Sequence, residues 1–470
     1  VAPDGELFLW QGKIDLHRWT LGCQGFDNYC DQGKEAFNGM SITQSALLRA
    51  ARQGQWQVIS QGIGTNTVVN CRDETGLSPL LYAIGAGQGE MVDHLIQAGA
   101  DVNFDRPPHG ITPLMLAAAH HQTAIAKRLI AAGATIDQGN DDGSTALMIA
   151  AYRGDRDMVE ILLAAGAKLD LQDQDGATAL QLAIEGNHPS VLAVLLEYGA
   201  DVNQPNAQGD MPLIQVIAQD NLDLLQCLNV PLDAESWLMA ASEGKSQMIK
   251  GFLQDYWPVD YQDDHGDTAL HLACLEGHLG IVQQLLQAQA SVNLTNQAGD
   301  TPLMLAIAHG EGDIVRQLLA AAADPNLSPT GEFPLLMALM TEGLTGPTQG
   351  EIVAALLEAG ADVQQPLIQG QTALMVAAAR NQVTVLPLLM AAGADVNQTD
   401  SQGATALMWA CHRGHLAAVK FLLQVPGIQI NQKNLGGLTA LNLLKLNHQP
   451  AHNVADLKEV IALLQSSKSF

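Results

Sequence analysis

The residues with the clearest chemical potential are two short histidine and cysteine groups. His271, Cys274 and His278 fall at H-x2-C-x3-H, and Cys411, His412 and His415 crowd together further along the chain. Imidazole and thiolate are zinc donors, but a structural zinc site takes four ligands and each group offers three at most. Two acidic stretches, DQDG at 173–176 and DDHGD at 263–267, copy the start of a calcium loop. That loop wants glycine at its sixth position and glutamate at its twelfth. Counted from Asp173, those places hold Thr178 and Ile184. No metal and no cofactor is therefore expected, and no catalytic residue is assigned. The phosphate loop GxxxxGK[ST], the elbow GxSxG and the zinc motif HExxH do not occur either.

Charge and composition narrow the function further. The 470 residues carry 22 basic and 49 acidic side chains, a net charge of −27. Direct nucleic-acid binding needs clustered Lys and Arg over a face and is excluded as a main activity. Docking on anionic lipid is disfavoured for the same reason. No apolar run reaches membrane-spanning length, and the first residues lack the apolar core of a signal peptide. Six cysteines (Cys23, Cys30, Cys71, Cys227, Cys274, Cys411) are scattered without paired spacing, which points to a reducing, cytoplasmic setting.

The elements that position all these residues repeat. A Thr-small-Leu string or a variant starts at Ser78, Thr112, Thr145, Thr178, Met211, Thr268, Thr301, Phe333, Thr372, Thr405 and Thr439. Most intervals are 32, 33 or 34 residues; the exceptions are 57 after Met211 and 39 after Phe333. The string ESWLMAASEG, with Glu235 at the Thr position, divides the 57 into 24 and 33. Each unit follows one physical pattern, clearest over residues 141–171. Thr145 predicts an N-cap for a short helix ending near Gly154. A second helix places Met158, Ile161, Leu162 and Leu163 on one face, and Gly166 offers a left-handed C-cap. Pro113 and Pro302 sit at the first helical position, where a missing N–H costs nothing.

These strings resemble the ankyrin repeat family, most closely in DTPLMLAIAHGEGDIVRQLL (300–319), DTALHLACLEGHLGIVQQLL (267–286) and GADVN at 99–103, 199–203 and 393–397. Eleven clear units, a degenerate one and a truncated one (45–60) account for about nine-tenths of the chain. The resemblance implies an all-α solenoid of paired antiparallel helices with projecting β-hairpin-like loops, a single quasi-linear body. The expected organisation is a leader or cap over 1–43, with Met40 as an alternative start, and a truncated capping repeat over 44–72. Repeats over 73–234 end in the shortened unit, and repeats over 235–470 close with a C-terminal cap.

Departures from the family pattern carry most of the individuality. The histidine that ties neighbouring units in the family is present as His271; Met115, Met148, Met304, Met375 and Met408 stand there elsewhere, as inter-helix packing. Gln289 and Ala322 replace the C-cap glycine. The 24-residue unit lacks about nine residues, a GADVN string and a finger loop. The unit after it puts Tyr256, Trp257 and Pro258 where the glycine turn belongs. With Trp237 and Tyr261, four of the chain's 20 aromatics gather there. They are read either as filling for the vacated volume or as a binding hot spot at a kink. A six-residue expansion in TEGLTGPTQGE (341–351) reads as a surface loop between paired helices. Residues 1–39 hold six further aromatics and none of the repeat pattern.

Only about 43 residues lie outside the array, too few for a usual catalytic domain. The expected function is a non-catalytic protein–protein interaction scaffold, monomeric and without a membrane partner. The resemblance implies two binding surfaces, the finger loops and the exposed ends of the first helices. The candidate partner-binding residues are Tyr152, Arg153, Glu185, Trp237, Glu243, Trp257, Tyr261, Glu276, Arg380, His412 and Arg413. Acidic fingers and an acidic middle favour a partner protein with a basic surface or segment. Two alternatives stay open: a direct stoichiometric inhibitor of a basic enzyme or nucleic-acid-binding protein, and an enzyme with an unrecognised site.

Overall fold

The computed structural model describes residues 42–64, 68–105, 109–341, 343, 346–366, 369–446 and 454–466. The aromatic-rich leader and Met40 lie outside the described residues. Among the described residues, twenty-six helices run from Gln44–Arg52 to Val454–Ser466 and pack as thirteen pairs, one for each unit counted in the sequence. Chain contacts divide the protein into two compact units, separated between Val230 and Pro231. The first holds six pairs and the second seven.

Within a pair the two helices differ in kind. The first is short and apolar all round: every residue of Pro113–Ala119 is buried, because it packs on its own second helix and on the first helices of the neighbouring pairs. Its start is fixed by the predicted caps. The hydroxyls of Ser78, Thr112, Thr145, Thr178, Thr268, Thr301 and Thr405 accept from the amide three residues on. The second helix is amphipathic. In Arg156–Ala164 the buried side chains are Met158, Val159, Leu162 and Leu163, with Arg156 and Asp157 in solvent. Val159 therefore takes the inward place expected for Ile161, which is half-buried.

No strand forms among the described residues; the projecting connections are hairpin-like tight turns, closed by bonds such as Asp173 N to Ala177 O at 3.1 Å. The expansion at 341–351 also differs from expectation. Gly346, Pro347 and Gly350 lie within a thirteen-residue second helix, Gly346–Glu358. Proline is tolerated in a first helical turn, and Gln349 is buried with its Nε2 donating to the Ala338 carbonyl at 2.9 Å. Most of the expansion thus lengthens the helix, thirteen residues against nine in Gly312–Ala320, while Gly343 stays in the turn before it.

The first helix of the second unit shows another correction. Its N-cap is Asp233, whose Oδ1 accepts from the Ser236 amide at 2.8 Å, so Ala234–Ser242 begins before Glu235. Asp outcompetes Glu for this role because its shorter side chain closes the cap. Among the described residues no helix is long and apolar enough to cross a membrane.

Most second helices end on a left-handed glycine, such as Gly133 at φ 89°. Gln289 and Ala322 hold the same conformation, each at φ 64°, and Ala323 N still donates to Leu318 O at 2.9 Å. A Cβ in this region costs roughly 1 kcal/mol. Ala322→Gly is therefore expected to raise the thermal midpoint; an unchanged or lower midpoint in a melting scan contradicts the turn described here.

Candidate interaction surface

Most of the described finger turns are built on one Asp or Asn. Asp173 Oδ1 accepts from the Asp175 and Ala177 amides at 3.0 and 2.8 Å. Asn140 does the same for Asp142 and Ser144, Asn206 for Gln208 and Asp210, Asp263 for His265 and Asp267, and Asp400 for Gln402 and Ala404. Asp and Asn serve equally, so the turn uses an acceptor oxygen and not a charge. Successive fingers are also joined by backbone. Gln174 N donates to Asp142 O, Ala207 N to Asp175 O, and Gln297 N to His265 O, at 2.8–2.9 Å. Gly176, at φ 71°, permits the approach, since a Cβ there would stand 2.5 Å from Ala207 N.

A second ladder runs through the turns that follow the second helices. Asn70 Oδ1 accepts from Asp101 N at 2.8 Å while its Nδ2 donates to Gly99 O at 3.0 Å. Asn103 grips Thr135 N and Gly133 O in the same way. Asp137 accepts from Lys168 N and Asp170 from Asp201 N. In the second unit Asp260, Asn293, Asn326 and Asn397 accept from Ser291, Asp324, Asp362 and Gln429. The sequence signal was the recurrent final residue of GADVN, whose role as a clamp on the next unit was not inferred there.

Of the groups with metal-like spacing, His271, Cys274, His278 and Cys411 are occupied by packing or backbone contacts. His271 is buried; its Nδ1 accepts from Thr268 N at 3.2 Å, and its Nε2 donates to Asp300 O at 3.2 Å. Burial lowers its pKa against the smaller raising influence of Asp300 and Asp267, favouring the neutral ring. Gln181 performs the same duty, with Oε1 on Thr178 N and Nε2 on the Gln204 and Asp210 carbonyls. Met115 and Met148 reach Thr112 N and Thr145 N with their sulfurs. His278 donates Nε2–H to Ser242 O at 2.8 Å. Cys274 and Cys411 are buried, and burial alone raises their thiol pKa values, that of Cys411 to about 12. They are core thiols, not nucleophiles. Among the described residues no three His, Cys, Asp or Glu side chains cluster as metal donors.

The proposed contact residues fall into separate settings. At the first-helix ends of the first unit, Tyr152 and Arg153 are half-buried and Glu185 is exposed. Arg153 Nε is buried without a hydrogen-bond partner among the described residues. The neighbouring His120 has a lowered pKa, from burial first and then from the Arg153 and His121 charges. In the second unit Glu243 and Glu276 are exposed at the ends of Ala234–Ser242 and Ala269–Leu275, first helices that pack side by side. Arg380, His412 and Arg413 are exposed at the ends of a second adjacent pair. Arg380 Nη2 donates to Met340 O at 3.0 Å, and the His412 ring meets Trp409 edge-on at 6.1 Å. Trp237 is a correction: it is 0% exposed, packed 5.5 Å from Phe252, because the leucine position it occupies points into the core. Trp257 is half-buried and Tyr261 is 38% exposed. Tyr256, one of the four aromatics read as filling or as a hot spot, is 94% exposed.

A family model of ankyrin repeats matches residues 47–140, 114–206, 147–236, 207–296, 237–329 and 345–434. The chain belongs to the ankyrin repeat family. Ankyrin arrays are protein-interaction folds, and the exposed helix ends and fingers are the surfaces this array presents. Over 90 residues the chain is 38% identical to the RelA-associated inhibitor of Mus musculus. That stretch is 19% of this chain and 11% of the relative, so the likeness concerns a small part of both.

The finger acceptors give one prediction. Burial would raise the Asp73 pKa, but donors from Tyr82, Thr75 and Leu77 outweigh it and hold the carboxyl below its ordinary value. A depressed carboxylate stabilises the fold above its unfolded pKa, and that contribution disappears as pH falls through the folded one. Asp73→Asn, which supplies the acceptor found at Asn140, is expected to remain folded and to show a flatter midpoint-versus-pH curve than wild type below about pH 4. Parallel curves would contradict this role.

Proposed function

We propose that this ankyrin array is a non-catalytic scaffold that binds a partner protein through the ends of its first helices and its finger tips, and that the partner contributes a basic surface or segment. The observation carrying this reading is the pair Glu243 and Glu276. They stand exposed at the ends of adjacent first helices, Glu243 with the Lys245 ammonium 3.7 Å from its Oε2, and helix ends held in an array lose little entropy on binding. Asp141, Asp142 and Asp264 add exposed carboxylates on the finger tips, while Asp173 and Asp263 are partly spent on their own turns. Steering by a net charge of −27 should make association faster at low salt.

A second reading is supported by the name of the mouse relative, an inhibitor: the array would occlude a basic enzyme or nucleic-acid-binding face stoichiometrically. In both readings the protein acts as a monomer in the cytoplasm. That setting suits the free thiols of Cys71, Cys227, Cys274 and Cys411. The buried His271, Cys274 and Cys411 are committed to packing and lend catalysis no support.

Affinity capture from the native cells, followed by binding kinetics at two salt concentrations, tests the proposal. Glu243→Lys combined with Glu276→Lys is expected to weaken the captured partner about tenfold or more and to flatten the salt dependence of association. Unchanged affinity and salt dependence would reject this surface. Inhibition at one-to-one stoichiometry would select the second reading, and catalytic turnover would reject both.

A further inference from the structure

The aromatics after the shortened unit have a counterpart elsewhere in the chain that shows what they lack. Phe104 directly follows Gly99, Ala100, Asp101, Val102 and Asn103. In the second unit the same five registers hold Tyr256, Trp257, Pro258, Val259 and Asp260, so Tyr261 stands at the place of Phe104. The ladder confirms the alignment: Asp260 Oδ1 accepts from Ser291 N, 31 residues on, as Asn70 accepts from Asp101 N, also 31 residues on.

At Phe104 the ring is covered. The Arg72 guanidinium lies over it, 3.9 Å from the centroid, and Arg72 Nη2 is held by Asp105 Oδ1 at 3.0 Å. Arg72 belongs to the preceding finger, two residues past Asn70. Before Tyr261 that stretch does not exist, because the shortened unit lacks the turn and finger that would carry it. Among the described residues no guanidinium or ammonium covers the Tyr261 ring, whose aromatic neighbour is Trp257 at 6.4 Å and 55°. Beside it Tyr256 is 94% exposed at φ 57°, where most repeats use glycine. Neither the turn nor the core explains a large exposed ring there. Trp257 fills space against Phe252, edge-on at 5.7 Å; Tyr256 does not, and Tyr261, beside Trp257, keeps 38% of its surface exposed. Asp255 and Asp264, both exposed, place carboxylates on either side in the sequence.

We propose that Tyr256, Trp257 and Tyr261 form a docking site for an arginine-bearing extended segment of a partner protein, whose guanidinium covers Tyr261 as Arg72 covers Phe104. The ring faces attract the cation, and the flanking carboxylates select a basic segment over an apolar one. The site rests on the reading of the protein as a partner-binding scaffold, but it lies apart from Glu243 and Glu276 and can fail without them.

The test is a titration of the full chain, labelled with 15N at its tryptophan indoles, with the peptide acetyl-Gly-Arg-Gly-Arg-Gly-amide. Versions carrying lysine or citrulline serve as comparisons. The Trp257 indole resonance, assigned by its loss in Trp257→Phe, is expected to shift saturably with the arginine peptide. Lysine should bind about fivefold more weakly, and citrulline should give no saturable shift. Tyr261→Leu, which keeps bulk and removes the ring face, should abolish the shift; Tyr256→Ser at the exposed position should weaken it. Equal binding of citrulline or lysine, or retention in Tyr261→Leu, would overturn the proposal. So would self-association in sedimentation that vanishes in Tyr261→Leu, since the occupant would then be a second copy. Loss of peptide binding with intact partner capture would reject this site alone, whereas failed capture with intact peptide binding would reject the helix-end surface.

Discussion

In most of the turns that follow the second helices, one side-chain amide or carboxylate grips the backbone of the next such turn, and much of the array is arranged around that grip. One such bond contributes only about 1 kcal/mol net. Its effect comes from recurrence, because it fixes the register in which each pair buries its apolar helices against the next. The grip also decides where the sequence can vary. The six-residue expansion is absorbed mostly by a longer second helix, so Asn326 still accepts from Asp362 N although the two are 36 residues apart instead of the 31 between Asn70 and Asp101. Non-glycine residues at the left-handed position are tolerated for the same reason: Asn293 Nδ2 still reaches the Ala322 carbonyl, at 3.4 Å.

Much of this was legible in the sequence. The Thr-small-Leu register located the first helices because a hydroxyl acceptor three residues before a free amide is a local, nearly context-independent interaction. The glycine turns were equally legible, and the two positions where Gln289 and Ala322 replace the glycine were recognised, although that both keep the left-handed conformation is seen only in the structure. The misplacements came from judging residues by type instead of register. Gly and Pro in TEGLTGPTQGE suggested a loop, but proline fits a first helical turn. Trp237 suggested a hot spot, but its register is a core leucine position. Glu235 was aligned correctly to the repeat, yet Asp233 is the better cap. The clamps of Asn70, Asn103 and their successors were not inferred because their partners lie about one repeat away and are backbone atoms, which no side-chain pattern reveals. Gln181 was missed as the equivalent of His271 because the shared property is a pair of hydrogen-bonding ends, not a residue name.

The same distinction reshapes the electrostatic argument. A charge of −27 invites the view that every finger aspartate awaits a basic partner. Asp173, Asp263 and Asp400 instead serve as turn acceptors, interchangeable with Asn140 and Asn206. The acids left for recognition are those outside this register, chiefly Glu243 and Glu276 at the helix ends and Asp141, Asp142 and Asp264 at the tips. The array thus separates residues that hold the repeats together from residues that face outward, and the separation follows position within the repeat.

Native-state hydrogen exchange tests that account most directly. The amides of Asp101, Thr135, Ser291, Asp324, Asp362 and Gln429 sit in turns at the surface, yet each donates to an Asn or Asp of the preceding repeat. If those clamps hold the array, these amides exchange as slowly as the amides of the buried first helices. Exchange at the rate of an open loop, with the helices still protected, would show that the repeats are held by packing alone and that the ladder is incidental.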